Sequence, residues 1–211
     1  MSSRLIIIAL VLALVFVSIR LLQASTTQGT GPSDEDAVYK NILSRTSIRS
    51  YQDKAVEKEK VEKLLRAGMA APSAADRRPW HFVVVDDKEV LKGLAQANPN
   101  AKFADKAPLA IVVCGDMDKT LQGEGKEFWI QDCSAVTENI LLAAHAMGLG
   151  AVWTGTFPAQ DRCRAVAEVL HLPAHLVPLN TIVIGYPANP GHPKDKWDES
   201  VITYNRFKPE S

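Results

Sequence analysis

Residues Gln131 to Met147 are apolar almost all the way round a helical wheel, with Ser134, Glu138 and His145 forming one narrow polar stripe. A surface helix keeps a broad polar face, so a helix of this kind belongs at the centre of a domain or at a subunit interface. Everything else in the chain must supply elements to cover it. Gly148 and Gly150 stop it, and Ala151 to Gly155 (AVWTG) then reads as extended. Upstream, Val61, Leu64, Leu65, Gly68 and Met69 follow helical spacing after a charged opening. His81 to Val85 and Leu109 to Cys114 are short runs rich in β-branched residues, Gln160 to Leu170 is amphipathic, and Leu179 to Ile184 is a last core strand. Strands separated by helices predict an α+β domain of α/β layers.

Composition narrows the function. With 24 Lys+Arg against 24 Asp+Glu and a pI near 7.0, the chain lacks the basic excess of a general nucleic-acid binder. The three cysteines form no C-x-x-C pair and no zinc spacing. No metal site is expected. His171 and His175 flank Pro173, which forbids the regular turn that a pair of helical ligands needs. Cys133 sits inside the apolar helix, where a cysteine acts as a small hydrophobe rather than a nucleophile. Asp86 and Asp87 follow a strand, the place for a helix N-cap. The familiar nucleophile, zinc-protease and nucleotide-loop motifs are missing from the sequence.

The N-terminus stands apart. Residues 5–19 (LIIIALVLALVFVSI) lie between Arg4 and Arg20, which fits either a secretory signal peptide or a short anchor extending through Leu22. Uninterrupted, the run would cover only about 22 Å of a hydrocarbon core near 30 Å. The tripeptide Leu22-Gln23-Ala24 is a poor cleavage site, since Leu22 is not small. Residues 1–24 are therefore read as signal peptide or N-terminal membrane anchor, with residues 5–22 as a candidate tether and the cell envelope as the expected location. Residues 25–37 are read as a linker and 38–211 as the functional domain.

What is left is a set of basic residues suited to an anion. Arg45-Thr46-Ser47-Ile48-Arg49 offers two guanidinium groups and two hydroxyls, and Pro193-Lys194-Asp195-Lys196 offers two more cations. Two further segments complete a pattern: Ala71 to Phe82 (APSAADRRPWHF) leaves a helix through a turn into a strand, and Gly148 to Gly155 (GLGAVWTG) leaves the central helix into another. In this order and spacing, RTSIRSY, APSAADRRPWHFVVV, GLGAVWTG, IGYPA (184–188) and PKDK resemble the nitroreductase family of FMN-dependent oxidoreductases. The resemblance spans about residues 38–208.

That resemblance implies a nitroreductase-like fold, a central mixed sheet flanked by helices in an intertwined homodimer with two FMN sites. It implies that Arg45, Thr46 and Ser47 hold the FMN phosphate, joined by Lys194 and Lys196, with Arg49 near the N1/O2 edge of the flavin. Pro72, Ser73, Ala74 and Asp76 would pack against the ring system from the partner subunit. Trp153, Thr154 and Gly155 would face it near N5, and Asn100 would reach its edge. The implied activity is hydride transfer from NAD(P)H and electron delivery to a nitroaromatic, quinone or similar electrophile by a ping-pong mechanism. The cofactor carries such chemistry, so no catalytic side chain is expected. A flavin-binding relay or sensor without NAD(P)H turnover is the alternative. Asp76 and Arg78 stand where the family usually has Asn and Gln. An unpaired Asp76 would oppose flavin reduction, whereas an Asp–Arg pair would only brace the turn.

Overall fold

The computed structural model describes residues 7–8, 10, 12–19 and 33–207. They fall into two units, Met1–Lys40 and Asn41–Ser211. In the first, the described residues between 7 and 19 are helical and exposed. Among the described residues, no helix is long and apolar enough to cross a membrane. That finding overturns the cell-envelope location and the tether expected from the leader. The tripeptide Leu22-Gln23-Ala24 and linker positions 25–32 lie outside the described residues. The rest of the expected linker differs: helix α1 (Asp34–Ser44) begins inside it. Its start is a reciprocal cap, with the Asp36 amide donating to Ser33 Oγ (3.0 Å) and the Ser33 hydroxyl donating to Asp36 Oδ2 (2.7 Å).

The second unit continues with α2 (Lys58–Met69), β1 (Trp80–Val85), α3 (Lys88–Ala97), β2 (Leu109–Asp116), α4 (Phe128–Ala146), β3 (Gly150–Gly155), α5 (Gln160–Val169) and β4 (Leu176–Gly185). Asp87 does cap α3, accepting from the amides of Glu89 and Val90. The strands form one sheet in the order β1-β2-β4-β3. Every neighbouring pair is antiparallel, as in Val83 opposite Val112 and Val152 opposite Val183. The expected mixed sheet is thus corrected within this chain. The β1–β2 and β3–β4 connections each carry a helix, yet each starts and ends at the same end of the sheet. Alternating helices and strands in sequence cannot distinguish that path from a parallel crossover. The one parallel contact described is an isolated bridge between Ser47 and Ala151.

The period-2 alternation of the strands sorts their side chains into two cores. Leu109, Ile111, Val113, Ile182 and Ile184 pack beneath α2 and α4. Ala110, Val112 and Cys114 pack against Leu91 and Leu94 of α3 and Val166 of α5. Covered on both faces, β2 buries all eight of its residues. Helix α4 sends Cys133, Val136, Ile140 and Ala144 into the first core. It meets α2 at Gly68, where an added Cβ would lie 3.0 Å from Ile140.

Cys114, Cys133 and Cys163 are free and buried. Burial pushes the Cys114 thiol up to about 12 and the Cys133 thiol higher still. Since the thiolate is the reactive form, all three thiols of the native protein should resist iodoacetamide at neutral pH and react fully only in denaturant. Mass spectrometry of the alkylated protein checks this.

Candidate functional site

The site grows from the outer edge of β3. There the chain after α1 runs parallel to the strand: Ser47 bridges Ala151, and the Ile48 amide donates to the Ala151 carbonyl at 3.1 Å. The approach depends on Gly150, because a Cβ there would sit 2.6 Å from Ile48 Cγ2. Tyr51 then pins the segment, its hydroxyl donating to the carbonyls of Ile48 (2.6 Å) and Val183 (3.0 Å). Burial raises the Tyr51 pKa, against a smaller lowering by Arg49, so this hydroxyl stays protonated and donating.

The chain leaving β4 comes back to the same place. The Gln52 amide donates to Tyr186 O (2.8 Å), the Ala188 amide donates to Ser50 O (3.0 Å), and Tyr51 bridges Pro187. Gly191 lies so close to Thr46 that any side chain would collide with it. Two motifs about 140 residues apart in sequence are thereby joined. They enclose a cleft of about 280 Å³ lined by Thr46, Ser47, Arg49, Asn189, Gly191 and His192. A neighbouring cleft of about 200 Å³ is lined by Ser44, Arg45, Thr46, His145 and Gly148 among others.

Arg45 is mostly buried, and its Nε lies 3.5 Å from Glu138 Oε1 of α4. Ser44 Oγ and His145 Nε2 are 2.8 Å apart, and Asn41 Nδ2 donates to Leu142 O at 3.1 Å. Burial, and secondarily the Arg45 charge, lowers the His145 pKa, which favours the neutral imidazole. Two members of the polar stripe read from the sequence, Glu138 and His145, therefore receive residues 44 and 45. The third, Ser134, donates to the Ile130 carbonyl of its own helix at 2.6 Å.

Further along β3, Trp153 is exposed and Gly155 has open space where a Cβ would stand. Thr154 differs from expectation. Alternation turns its side chain inward, where the hydroxyl donates to Thr181 O at 2.7 Å, leaving only its backbone at the strand surface. Asn100 differs too: it is exposed, and its amide donates to Asn98 Oδ1. The residue joined to β3 is Asn98, fully buried, with Nδ2 donating to Gly155 O at 3.1 Å. Sequence reading missed it. The signal was the Asn-Pro step at 98–99, since an Asn in that position caps the following turn.

The turn at residues 72–78 holds three left-handed residues, Ala75 (φ 48°), Asp76 (φ 52°) and Arg78 (φ 50°). Such strain persists only where the surroundings enforce it. Here Asp132 at the start of α4 accepts from the Ala74 amide at 2.9 Å, and Ser73 Oγ accepts from the Arg78 amide at 3.0 Å. Arg78 forks onto Asp76, with Nε to Oδ1 at 2.7 Å. That hydrogen bond holds the Asp76 carboxyl below the usual carboxylate range. Pro72, Ser73, Ala74 and Asp76 thus belong to a braced surface turn. Lys194 and Lys196 lie exposed on the tail and line neither cleft at β3.

The profile of the family described as "Nitroreductase family" matches residues 42–98 and 92–186 of this chain. The chain belongs to the nitroreductase family. A protein from Methanothermobacter thermautotrophicus, provisionally named NADH dehydrogenase/NAD(P)H nitroreductase, is 46% identical over 172 residues, covering 81% of this chain and 87% of that protein. A crystal structure from Bacteroides thetaiotaomicron under the same provisional name superposes with a TM-score of 0.77 at 49% identity, over 81% of this chain and 98% of that one. An FMN-dependent nitroreductase from Clostridium difficile R20291 superposes with a TM-score of 0.74 at 34% identity, over 80% and 99% of the two chains. The fold is that of the nitroreductases. The matched region, residues 42–186, takes in Arg45 to Arg49, the 72–78 turn and the exposed end of β3.

Proposed function

We propose that this nitroreductase-family oxidoreductase binds FMN at the β3 edge, takes hydride from NAD(P)H and passes the electrons to a nitroaromatic, quinone or similar acceptor by a ping-pong mechanism. The observation that carries the reading is a pair of neighbouring clefts, one lined by Arg45, Thr46 and Gly191 and the other by Thr46, Ser47, Arg49 and the 189–192 loop, beside a strand that ends in exposed Trp153 and an uncrowded Gly155. The residues fit the cofactor. Guanidinium forks and short hydroxyls suit a phosphate. The bare Gly155 surface lets a flat ring approach the backbone. Bound FMN supplies the hydride-accepting centre, which no side chain here could provide. Arg45, Thr46 and Ser47 hold the phosphate, and Lys194 and Lys196 close over it from the tail. Arg49 would hold the N1/O2 side of the ring and supply a cation that favours its reduction. Trp153, the Thr154 backbone and Gly155 form the wall beside the reacting edge, with Asn98 and Asn100 holding the adjoining turn.

The site is completed by a second copy of the chain. The 72–78 turn and the phosphate segment are braced by α4 at Asp132 and His145, thirteen residues apart. That spacing separates them by about 20 Å along the axis and about 140° around it. One chain is thus poorly arranged to press both against one flavin, whereas a homodimer can supply Pro72, Ser73, Ala74 and Asp76 from the partner. The tail supports this. Trp197 (72% exposed) and Tyr204 (83% exposed) have no cover. A cleft of about 620 Å³ beside edge strand β1 offers Leu65, Met69, Phe82 and Val84 with Arg77 and Lys119. Its apolar lining complements the aromatic side chains of that tail.

The test is an anaerobic absorbance spectrum of the purified protein before and after NADH or NADPH. A flavin band at about 450 nm that bleaches supports the reading. A band that persists favours a relay or sensor, and no flavin after reconstitution overturns the cofactor assignment. The departure at Asp76 makes its own prediction. Arg78→Ala leaves Asp76 unpaired and should lower the flavin midpoint potential, because an uncompensated negative charge beside the ring opposes its reduction. Asp76→Asn combined with Arg78→Ala should restore it. Spectroelectrochemical titration of the three proteins reads this directly.

A further inference from the structure

We infer that Glu138 is a positioning residue for Arg45, setting the affinity of the site for a phosphate ester. The inference rests on the phosphate reading above. Glu138, Leu142 and His145 are spaced i, i+4 and i+7, so they share one stripe of α4. Each receives one contact from residues 41–45: Asn41 Nδ2 on the Leu142 carbonyl (3.1 Å), Ser44 Oγ on His145 Nε2 (2.8 Å), and Arg45 Nε facing Glu138 Oε1 (3.5 Å). The first two hold the backbone in place, and the Arg45 amide also donates to Asn41 O at 3.2 Å.

The third contact is an ion pair to the guanidinium itself. A guanidinium presents its five N–H groups along flat edges, and a phosphate is best gripped by two parallel bonds from one edge. Glu138 approaches Arg45 from the Nε side, so the two outer nitrogens are left for another anion beside the cleft that Arg45 lines. Arg45 is 19% exposed and Glu138 48% exposed, so the carboxylate stays solvated while the guanidinium it steers is mostly enclosed. Two effects oppose each other when Glu138 is removed. A half-exposed carboxylate repels a nearby phosphate weakly, because solvent screens it. A guanidinium free to rotate loses the alignment of charge-assisted bonds, which is the larger effect. Orientation wins, so loss of Glu138 weakens phosphate-ester binding.

The experiment titrates the flavin-free protein with FMN and, separately, with riboflavin, following quenching of flavin fluorescence. Wild type is compared with Glu138→Ala, Arg45→Ala and the double variant. Thermal melts check that each is folded. Glu138→Ala should bind FMN about 5–20-fold more weakly, the loss expected from misaligning one charge-assisted contact. Riboflavin, which has no phosphate, should bind as it does to wild type. In the Arg45→Ala background the Glu138 substitution should change nothing further. Unchanged or tighter FMN binding by Glu138→Ala overturns the inference. So does an equal loss for FMN and riboflavin, or a full Glu138 effect without Arg45. If Arg45→Ala itself binds FMN like wild type, the phosphate reading fails and this inference fails with it.

Discussion

Replacing Arg45 and Lys194 together with alanine should release FMN and leave a colourless, folded protein. Each residue would remove one charge-assisted contact to the phosphate, worth about 1.5–3 kcal/mol. The pair should therefore weaken FMN by about 100- to 10,000-fold. The fold should survive for specific reasons. Lys194 lies exposed on the tail, and the partner that Arg45 leaves behind, Glu138, is half-exposed and can be solvated. The backbone of the segment keeps its bonds to Ala151 and its clasp by Tyr51. The two contributions should also separate in salt. Screening acts strongly on an exposed lysine and weakly on an enclosed guanidinium, so raising ionic strength should erode the Lys194 share first. Flavin content of the purified variant, with circular dichroism to confirm folding, checks the prediction. Full flavin retention would show that the phosphate site lies elsewhere.

Replacing Ile140 with alanine should cost about 2–5 kcal/mol of stability, the range for removing a large aliphatic side chain from a packed core. The upper half of that range is expected. Ile140 is fully buried, and it faces Gly68 of α2, which has no side chain that could swing into the space left behind. For a domain of this size the melting temperature should fall by about 6–20 °C. The test belongs on flavin-free protein, because bound cofactor stabilises the native state by mass action and hides part of the loss. A drop of less than about 1 kcal/mol would mean that the α2–α4 contact relaxes far more freely than a close-packed core normally does. The cause would then lie in helix movement rather than in transfer of the side chain.

The two predictions rest on features of different legibility. The central helix is readable from its apolar wheel alone, and so are strands at residues 81–85, 109–114 and 179–184, because periodicity and β-branched runs are local properties; the structure extends them to 80–85, 109–116 and 176–185. The Asp87 cap is legible for the same reason. The first residues of α1 are not, although Ser33 and Asp36 carry a capping signature, because the Gly/Pro-bearing stretch immediately before them reads as a continuing linker. The antiparallel pairing of all four strands within this chain was illegible for another reason. Strand order and direction depend on where each connection re-enters the sheet, and nothing in a local window records that.

The candidate site divides along the same line. Residue types suited to a phosphate, the turn containing Asp76 and the glycine-flanked strand at Ala151 are written into short segments, so the family and the layered architecture were legible in the chain before it folds. Tertiary structure alone decided the assignments of individual residues. It turned Thr154 inward to Thr181, put Asn98 rather than Asn100 against β3, forked Arg78 onto Asp76 and set Arg45 against Glu138. Each is a contact in which pleat, packing or a close approach of distant segments chooses one partner among several chemically equivalent ones. Local sequence sets what a residue can bond, and only the folded chain sets what it meets.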